Sequence, residues 1–190
     1  ASSIPLTVST TMRSPILTLI SQSTSKTFPP STNLIPIIIT NNTQNNTASE
    51  GTRPVTYYNN FVMIGYIEIP KIGIKYPILE KETVASLEQS VAVRYPDNPN
   101  LNQPGNTVII GHNYRNGLFF SDNKKLTNGD LIYITDARGE TVTYEIYNIY
   151  QTTPNDASYF TRDTEGRREI SLQTCTDSGD GRIIIWAVEK

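Results

Sequence analysis

The chain has 190 residues, and its 16 lysine and arginine residues nearly balance its 18 aspartate and glutamate residues, giving a formal net charge of -2. This balance argues against a nucleic-acid-binding domain, which normally carries a basic excess or a clustered basic face. The single cysteine and single histidine exclude an intramolecular disulfide and a structural zinc site made from these residue types alone. No run of about twenty apolar residues is present, so no transmembrane helix is predicted in the sequence as given.

Residues 1–60 differ in composition from the rest of the chain. Half of them are Ser, Thr, Asn or Gln, and charges are sparse, which is typical of a stalk, linker or extended arm. The isoleucines at 37–39 could add one strand to a neighbouring sheet. The apolar runs at 16–20 and 34–39 leave open that this segment covers a binding groove as an autoinhibitory arm. We predict an N-terminal segment at residues 1–60 and a folded domain at residues 61–190.

The folded part consists of short strands separated by turn residues. One short helix is predicted at residues 83–88, with Thr83 as its N-cap, and a helical turn is predicted at residues 118–120. The Arg138-Gly139 step indicates a hairpin. In chain order, the predicted strands are residues 64–69, 74–79, 107–110, 131–135, 141–151, 169–174 and 182–188. Seven or eight short strands, rich in Tyr, Ile, Thr and Val, predict an all-β sandwich or closed barrel.

Three residues with catalytic chemistry lie at the ends of predicted strands. His112 follows one strand, Cys175 ends another, and Arg182 begins the last. Because the loop at residues 176–181 is tight, we expect Cys175 and Arg182 to lie close together. A thiolate attacks a carbonyl carbon, an imidazole transfers protons, and a permanently charged guanidinium binds an oxyanion. Each residue alone is more often a buried cysteine, a turn histidine or a surface arginine, but their occurrence together favours catalysis.

Several segments resemble the sortase family of cysteine transpeptidases. Residues 171–175, Ser-Leu-Gln-Thr-Cys, resemble the family motif T-L-x-T-C, and Arg182 follows at the start of an apolar strand. Residues 108–113, Val-Ile-Ile-Gly-His-Asn, resemble the strand that carries the family's histidine, and residues 66–79 resemble its opening strands. The resemblance covers residues 63–190 in the expected order. The motif begins with Ser instead of the usual Thr, which keeps the hydroxyl group.

The resemblance implies a fold, a reaction and roles for the three residues. The implied fold is a closed eight-stranded β-barrel with one or two short helices, preceded by the extended N-terminal segment. Cys175 is the implied nucleophile, His112 the general acid and base, and Arg182 the oxyanion or substrate clamp. The implied reaction cleaves a C-terminal Leu-Pro-x-Thr-Gly type signal through a thioacyl intermediate. The acyl group then passes to an amine of a cell-wall precursor or of a pilin.

The resemblance also implies where the protein acts and with what. The expected location is the outer surface of a Gram-positive cell, with a membrane anchor outside the given sequence. The expected partners are proteins that carry a sorting signal and an amine acceptor such as a peptidoglycan precursor. No cofactor and no nucleic-acid partner is expected. The loop at residues 152–168 is expected to form one wall of the groove that binds the signal peptide.

Within the family, a class D- or A-like enzyme is favoured. The loop at residues 152–168 is too short for the long helix usual in class B. The Asp-Pro-aromatic lid motif of class C is missing, and the chain ends just past the last predicted strand, without that class's second anchor. Some class A members bind calcium, and Glu88, Asp97 and Asp156 are the acids considered for such a site. Scattered surface acids are more often solvated charge, so no metal is predicted.

Two other interpretations remain open at the level of sequence. A chymotrypsin-like cysteine protease is also β-rich with His before Cys, although the Gly-x-Cys-Gly motif it usually needs is absent. A non-catalytic surface β-domain with Cys175 buried is the non-enzymatic alternative. Asn113 and Thr174 flank the site and either orient a catalytic group or only satisfy the backbone. Tyr159 and Phe160 are expected to pack beneath their loop.

Overall fold

The computed structural model describes residues 53–190. One α-helix, α1, spans Val84–Leu87, and 3-10 turns lie at Pro70–Ile72 and Asn123–Lys125. The predicted strand at residues 37–39 and most of the predicted arm lie outside the described residues. The strands are β1 (Thr56–Tyr58), β2 (Phe61–Ile69), β3 (Ile74–Leu79), β4 (Val91–Tyr95), β5 (Gly105–Ile110), β6 (Leu131–Asp136), β7 (Thr141–Thr152), β8 (Arg168–Cys175) and β9 (Arg182–Glu189).

Eight of these strands close into a barrel. Their hydrogen-bonded order is β2-β3-β4-β5-β8-β9-β7-β6, and β6 pairs back with β2. The β3–β4 and β5–β8 pairs are parallel, and the other neighbours are antiparallel. β1 pairs with β2 outside the closed ring. The predicted all-β fold, a closed eight-stranded barrel with short helices, is confirmed.

The wall formed by β5, β8 and β9 is buried on both faces. Ile109 of β5 and Leu172 of β8 belong to the core inside the barrel. Ile110 of β5 and Ile184 of β9 belong to a second apolar cluster, which includes Leu87 of α1. Successive side chains of a strand point to opposite faces, so this second cluster covers the outer face of the wall. We call it the outer cluster.

Two strands escaped sequence analysis. β1 lies before the predicted boundary at residue 60, and Thr56 of β1 is paired with Met63 of β2. The sheet therefore begins within the segment that was predicted as a stalk. In β4, Val91, Ala92 and Val93 are all buried, and a strand buried on both faces lacks the alternation by which strands are recognised.

The prediction of a helical turn at residues 118–120 is wrong. Phe119 has φ 51°, in the left-handed region, and forms an isolated antiparallel bridge with Asn113. Its amide donates to the Tyr76 hydroxyl at 3.1 Å. The segment therefore folds back against the residues that follow His112, and the 3-10 turn lies further along the chain.

The predicted N-cap of the helix is confirmed. The Thr83 hydroxyl accepts a hydrogen bond from the Ser86 amide at 2.9 Å, and the Ser86 hydroxyl accepts one from the Thr83 amide at 2.8 Å. This reciprocal pair satisfies two amides at the start of α1. Only one turn follows, and Glu88 is the C-cap residue.

Candidate active site

His112, Cys175 and Arg182 lie in one row across three neighbouring strands. In the parallel β5–β8 pair, Ile110 is opposite Gln173, and the same register two residues further places His112 opposite Cys175. In the antiparallel β8–β9 pair, Cys175 is directly opposite Arg182. Neighbouring strands lie about 4.8 Å apart, so the barrel brings together three residues that are distant in sequence.

The three side chains share the outer face of the barrel wall. Ile110 and Ile184 belong to the outer cluster, and they precede His112 and follow Arg182 by two residues, which keeps these pairs on the same face. Cys175 shares that face because it is opposite Arg182 in the ladder. Cys175 is a free cysteine, and all three catalytic candidates are partly exposed. A peptide from solution can therefore approach the thiol.

Close packing fixes the point where β5 leads into His112. The buried Thr174 hydroxyl donates to the Gly111 carbonyl at 2.8 Å. A Cβ atom on Gly111 would lie 2.9 Å from side-chain carbons of both Phe120 and Val91, so only glycine fits without movement of its neighbours. Thr174 thus ties the histidine segment to the strand that carries the cysteine.

Asn113 connects the histidine segment to the backbone of the nucleophile. Its Nδ2 donates to the Cys175 carbonyl at 2.9 Å and to Asp177 Oδ1 at 3.0 Å. Lys124 also donates to Asp177, at 2.6 Å, and the hydrogen bonds from Lys124 and Asn113 lower the pKa of the Asp177 carboxyl. Asn113 therefore holds both the end of β8 and the start of the β8–β9 loop.

The imidazole of His112 lies beside a carboxylate and an aromatic ring. His112 Nε2 is 3.5 Å from Glu88 Oε1, and the His112 and Tyr114 ring centroids are 4.8 Å apart. Partial burial raises the pKa of the Tyr114 hydroxyl to about 12, and its hydrogen bond to Glu88 adds to this effect. Glu88, considered from sequence as a calcium ligand, lies against the histidine.

Arg182 begins β9 at the end of a closed loop. The Thr176 amide donates to the Gly181 carbonyl, and the Gly181 amide donates to the Thr176 hydroxyl, both at 3.1 Å. Arg182 Nη1 donates to the Gly181 carbonyl at 2.9 Å. A guanidinium has five N–H donors, so the group retains donors for a substrate carbonyl.

Asn106 holds the loop at residues 153–167 against the outer face, and sequence analysis did not identify it. Its Nδ2 donates to the carbonyls of Tyr159 and Phe160 at 2.9 and 3.1 Å. Its Oδ1 accepts from the buried Ser171 hydroxyl at 2.9 Å. Tyr159 is buried, as expected from the sequence, and its hydroxyl donates to Gln173 Oε1 at 2.5 Å. The loop is thereby joined to β8 two residues before Cys175.

A buried carboxylate fixes the end of the same loop. Glu169 is fully buried and is in contact with the Arg162 guanidinium; it also accepts from Arg167 Nη2 at 2.8 Å and from the Tyr147 hydroxyl at 2.7 Å. The Arg162 guanidinium lies 4.6 Å from the centroid of the Trp186 ring. An acidic residue at the start of an otherwise apolar strand was the available sequence signal.

No metal-binding group was found among residues 53–190, where no three or more His, Cys, Asp or Glu side chains are placed to share an ion. Of the acids considered for calcium, Glu88 lies at His112, and Asp156 accepts hydrogen bonds from Thr152 and the Ser158 amide. Within the same residues, no helix has the length and apolar character needed to cross a bilayer.

A family model described as "Sortase domain" matches residues 67–190, well over half of the chain. This chain belongs to the sortase family. The matched residues include all three of the catalytic candidates, and the family consists of cysteine transpeptidases. The family and the closed barrel that the sequence resemblance implied are therefore confirmed.

Individual sortases show the same relationship. The chain is 32% identical over 119 residues to sortase A of Bacillus anthracis, covering 62% of this chain and 54% of that protein. It is 32% identical over 111 residues to sortase D of Bacillus subtilis, covering 58% and 53%. The structure of a Clostridium perfringens sortase D5 transpeptidase matches with a TM-score of 0.60 at 31% identity, covering 67% and 79%. The chain spans about half the length of the curated relatives it matches.

Proposed function

We propose that this sortase cleaves a C-terminal sorting signal of Leu-Pro-x-Thr-Gly type and transfers the new carboxyl end to an amine. The observation that carries this proposal is the row of His112, Cys175 and Arg182 on one exposed end of the barrel wall. The partly exposed, free thiol of Cys175 disfavours the alternative of a surface domain with a buried cysteine. Membership of the sortase family disfavours the chymotrypsin-like protease.

The residues support a two-step acyl transfer. The Cys175 thiolate attacks the carbonyl carbon of the signal's threonine, and N–H groups of Arg182 stabilise the oxyanion that forms. The peptide C–N bond breaks as the His112 imidazolium gives its proton to the departing amine, which leaves a thioester on Cys175. An acceptor amine then attacks the thioester, His112 takes a proton from it, and the thiolate departs.

The walls of the site suggest where the signal binds. The loop at residues 153–167 is tied to β5 and β8 on the face that carries Cys175, and we assign it as one wall of the signal groove. We further propose a class D- or A-like enzyme at the outer cell surface, attached to a membrane anchor in the whole protein. Its acceptor is the amine of a cell-wall precursor.

The direct test is incubation of the protein with a peptide library around Leu-Pro-x-Thr-x and several amines, with products read by mass spectrometry. We expect an amide product joined at the threonine, and a loss of at least about 10³-fold on Cys175→Ala. Arg182→Lys keeps the charge but loses the planar fork, so we expect a loss of about 10- to 100-fold.

A matched control is available on the same wall. Arg168 begins β8 at the other end of the barrel and pairs with Glu189 at 3.1 Å, so Arg168→Lys should leave turnover unchanged. Equal effects of Arg182→Lys and Arg168→Lys would contradict the role of Arg182. Release of the free acid alone, even with amines present, would identify a protease instead of a transpeptidase.

A further inference from the structure

Glu88 supplies a carboxylate to the imidazole of His112 from a separate element. It caps the C-terminal end of α1, and its Oε1 lies 3.5 Å from His112 Nε2. The Glu88 side chain is 55% exposed and that of His112 is 33% exposed, so the pair sits at the rim of the site. Tyr114 completes the arrangement, since its ring contacts the imidazole and its hydroxyl is bonded to Glu88.

This geometry distinguishes the two nitrogens of the ring. A carboxylate accepts hydrogen bonds and donates none when ionised, so it favours a proton on Nε2. In the neutral imidazole the other nitrogen, Nδ1, then carries the lone pair. The nitrogen bonded to a neighbour sets which one is free for chemistry, and here the free nitrogen is Nδ1.

The charges around His112 oppose one another. Arg182 is permanently positive and lies two strands away in the same row, so it favours a Cys175 thiolate but disfavours an imidazolium. Glu88 has the opposite effect on the imidazolium. The charged and titratable groups on the surrounding elements are Glu88 of α1, Tyr114 of the same segment, Cys175 of β8, Arg182 of β9, and the Asp177–Lys124 ion pair.

We propose that Glu88 is a positioning residue for His112, with a carboxylate that holds the Nε2 proton and stabilises the imidazolium, leaving Nδ1 to exchange protons with the substrate. This inference rests on the proposed function for its catalytic meaning. The ion pair itself is independent of that function and can be measured in the free protein.

The composition of the chain makes the measurement simple. His112 is the only histidine, so its ring resonances titrate alone in an NMR spectrum if the purification tag contains no histidine. Removal of a carboxylate makes the imidazole lose its proton at lower pH. In Glu88→Gln at low ionic strength, we expect the titration midpoint of the imidazole to fall by about 0.2 to 0.7 of a pH unit.

Two further variants separate a specific contact from a general loss of charge. Tyr114→Phe keeps the ring but removes the hydroxyl bonded to Glu88, so the midpoint should fall by less. Glu68→Gln removes a similarly exposed carboxylate on β2 that pairs with Lys75 at 3.0 Å, and it should leave the midpoint unchanged. In about 1 M salt the difference between wild type and Glu88→Gln should shrink, because screening weakens a surface pair.

The pH profile of turnover gives the functional readout. With a sorting-signal peptide, Glu88→Gln should lower kcat/KM about two- to fivefold at the optimum and move one limb of the profile to lower pH, while KM changes little. A purely structural role would not move that limb. Equal titration midpoints in Glu88→Gln and Glu68→Gln would overturn the inference. If the wild type yields no product at all, the proposed function fails, and the NMR titration still decides whether Glu88 and His112 are paired.

Discussion

At the scale of single residues, Asn113 transmits order from the histidine segment to the nucleophile. Its amide holds the Cys175 carbonyl and Asp177 together, although it bears no reactive group. In Asn113→Ala we expect kcat/KM to fall about tenfold, because small misplacement of a reacting group is costly. The melting temperature should change by less than about 3 °C, since the side chain is at the surface.

A neighbouring asparagine provides the control for Asn113. Asn116 lies in the same exposed segment, and its Oδ1 accepts from the Leu118 amide at 3.0 Å without contact to β8. Asn116→Ala should keep full turnover. Equal activities of the two variants, measured with the same peptide and amine, would show that the Asn113 bridge is not needed to hold Cys175.

At the scale of elements, the loop at residues 153–167 depends on one buried amide. Asn106 is 8% exposed, and Asn106→Ala would leave the Tyr159 and Phe160 carbonyls without its two hydrogen bonds. We expect a loss of about 1 to 3 kcal/mol in the free energy of unfolding. We also expect faster proteolysis within the loop and a higher KM for the signal peptide, because the loop is a proposed wall of the groove.

The control for Asn106 is another buried asparagine. Asn102 donates through Nδ2 to the carbonyls of Ile134 and Glu140, both at 3.1 Å, on the β6–β7 side of the barrel. Asn102→Ala should destabilise the protein by a similar amount but leave the KM of the remaining folded enzyme unchanged. A rise in KM in both variants would assign the effect to general loosening instead of to the loop.

At the scale of the whole molecule, the barrel closes where β6 meets β2. Gly65 of β2 is opposite Asp136, and a Cβ atom on Gly65 would lie 2.1 Å from the Thr135 carbonyl oxygen. Gly65→Ala must therefore push the two strands apart at the seam. We expect a loss of at least about 3 kcal/mol in the free energy of unfolding, measured by urea denaturation.

A second glycine calibrates this prediction. Gly73 has φ 67° but open space around its Cα, so Gly73→Ala should cost only about 1 kcal/mol through backbone strain. If Gly65→Ala cost no more than Gly73→Ala, the contact across the β2–β6 seam would be looser than the structure shows.

The sequence by itself determined the fold class and the identity of the three catalytic candidates. Alternating strands with turn residues predicted the all-β barrel, and Cys175, His112 and Arg182 were identified because their residue types are reactive and few. β4 escaped because burial on both faces removes alternation, and the position of Phe119 escaped because its left-handed backbone depends on contacts with Tyr76 and Asn113.

Only the tertiary structure decided which residues support the site. Glu88 is one of many exposed acids in the sequence, and its contact with His112 arises because the barrel places the end of α1 beside the end of β5. Asn106 and Glu169 are likewise assigned by the loop that folds over them. The physical reason is that a reactive side chain carries its chemistry in its own atoms, whereas a supporting side chain acquires its role from neighbours brought close by strand order and register.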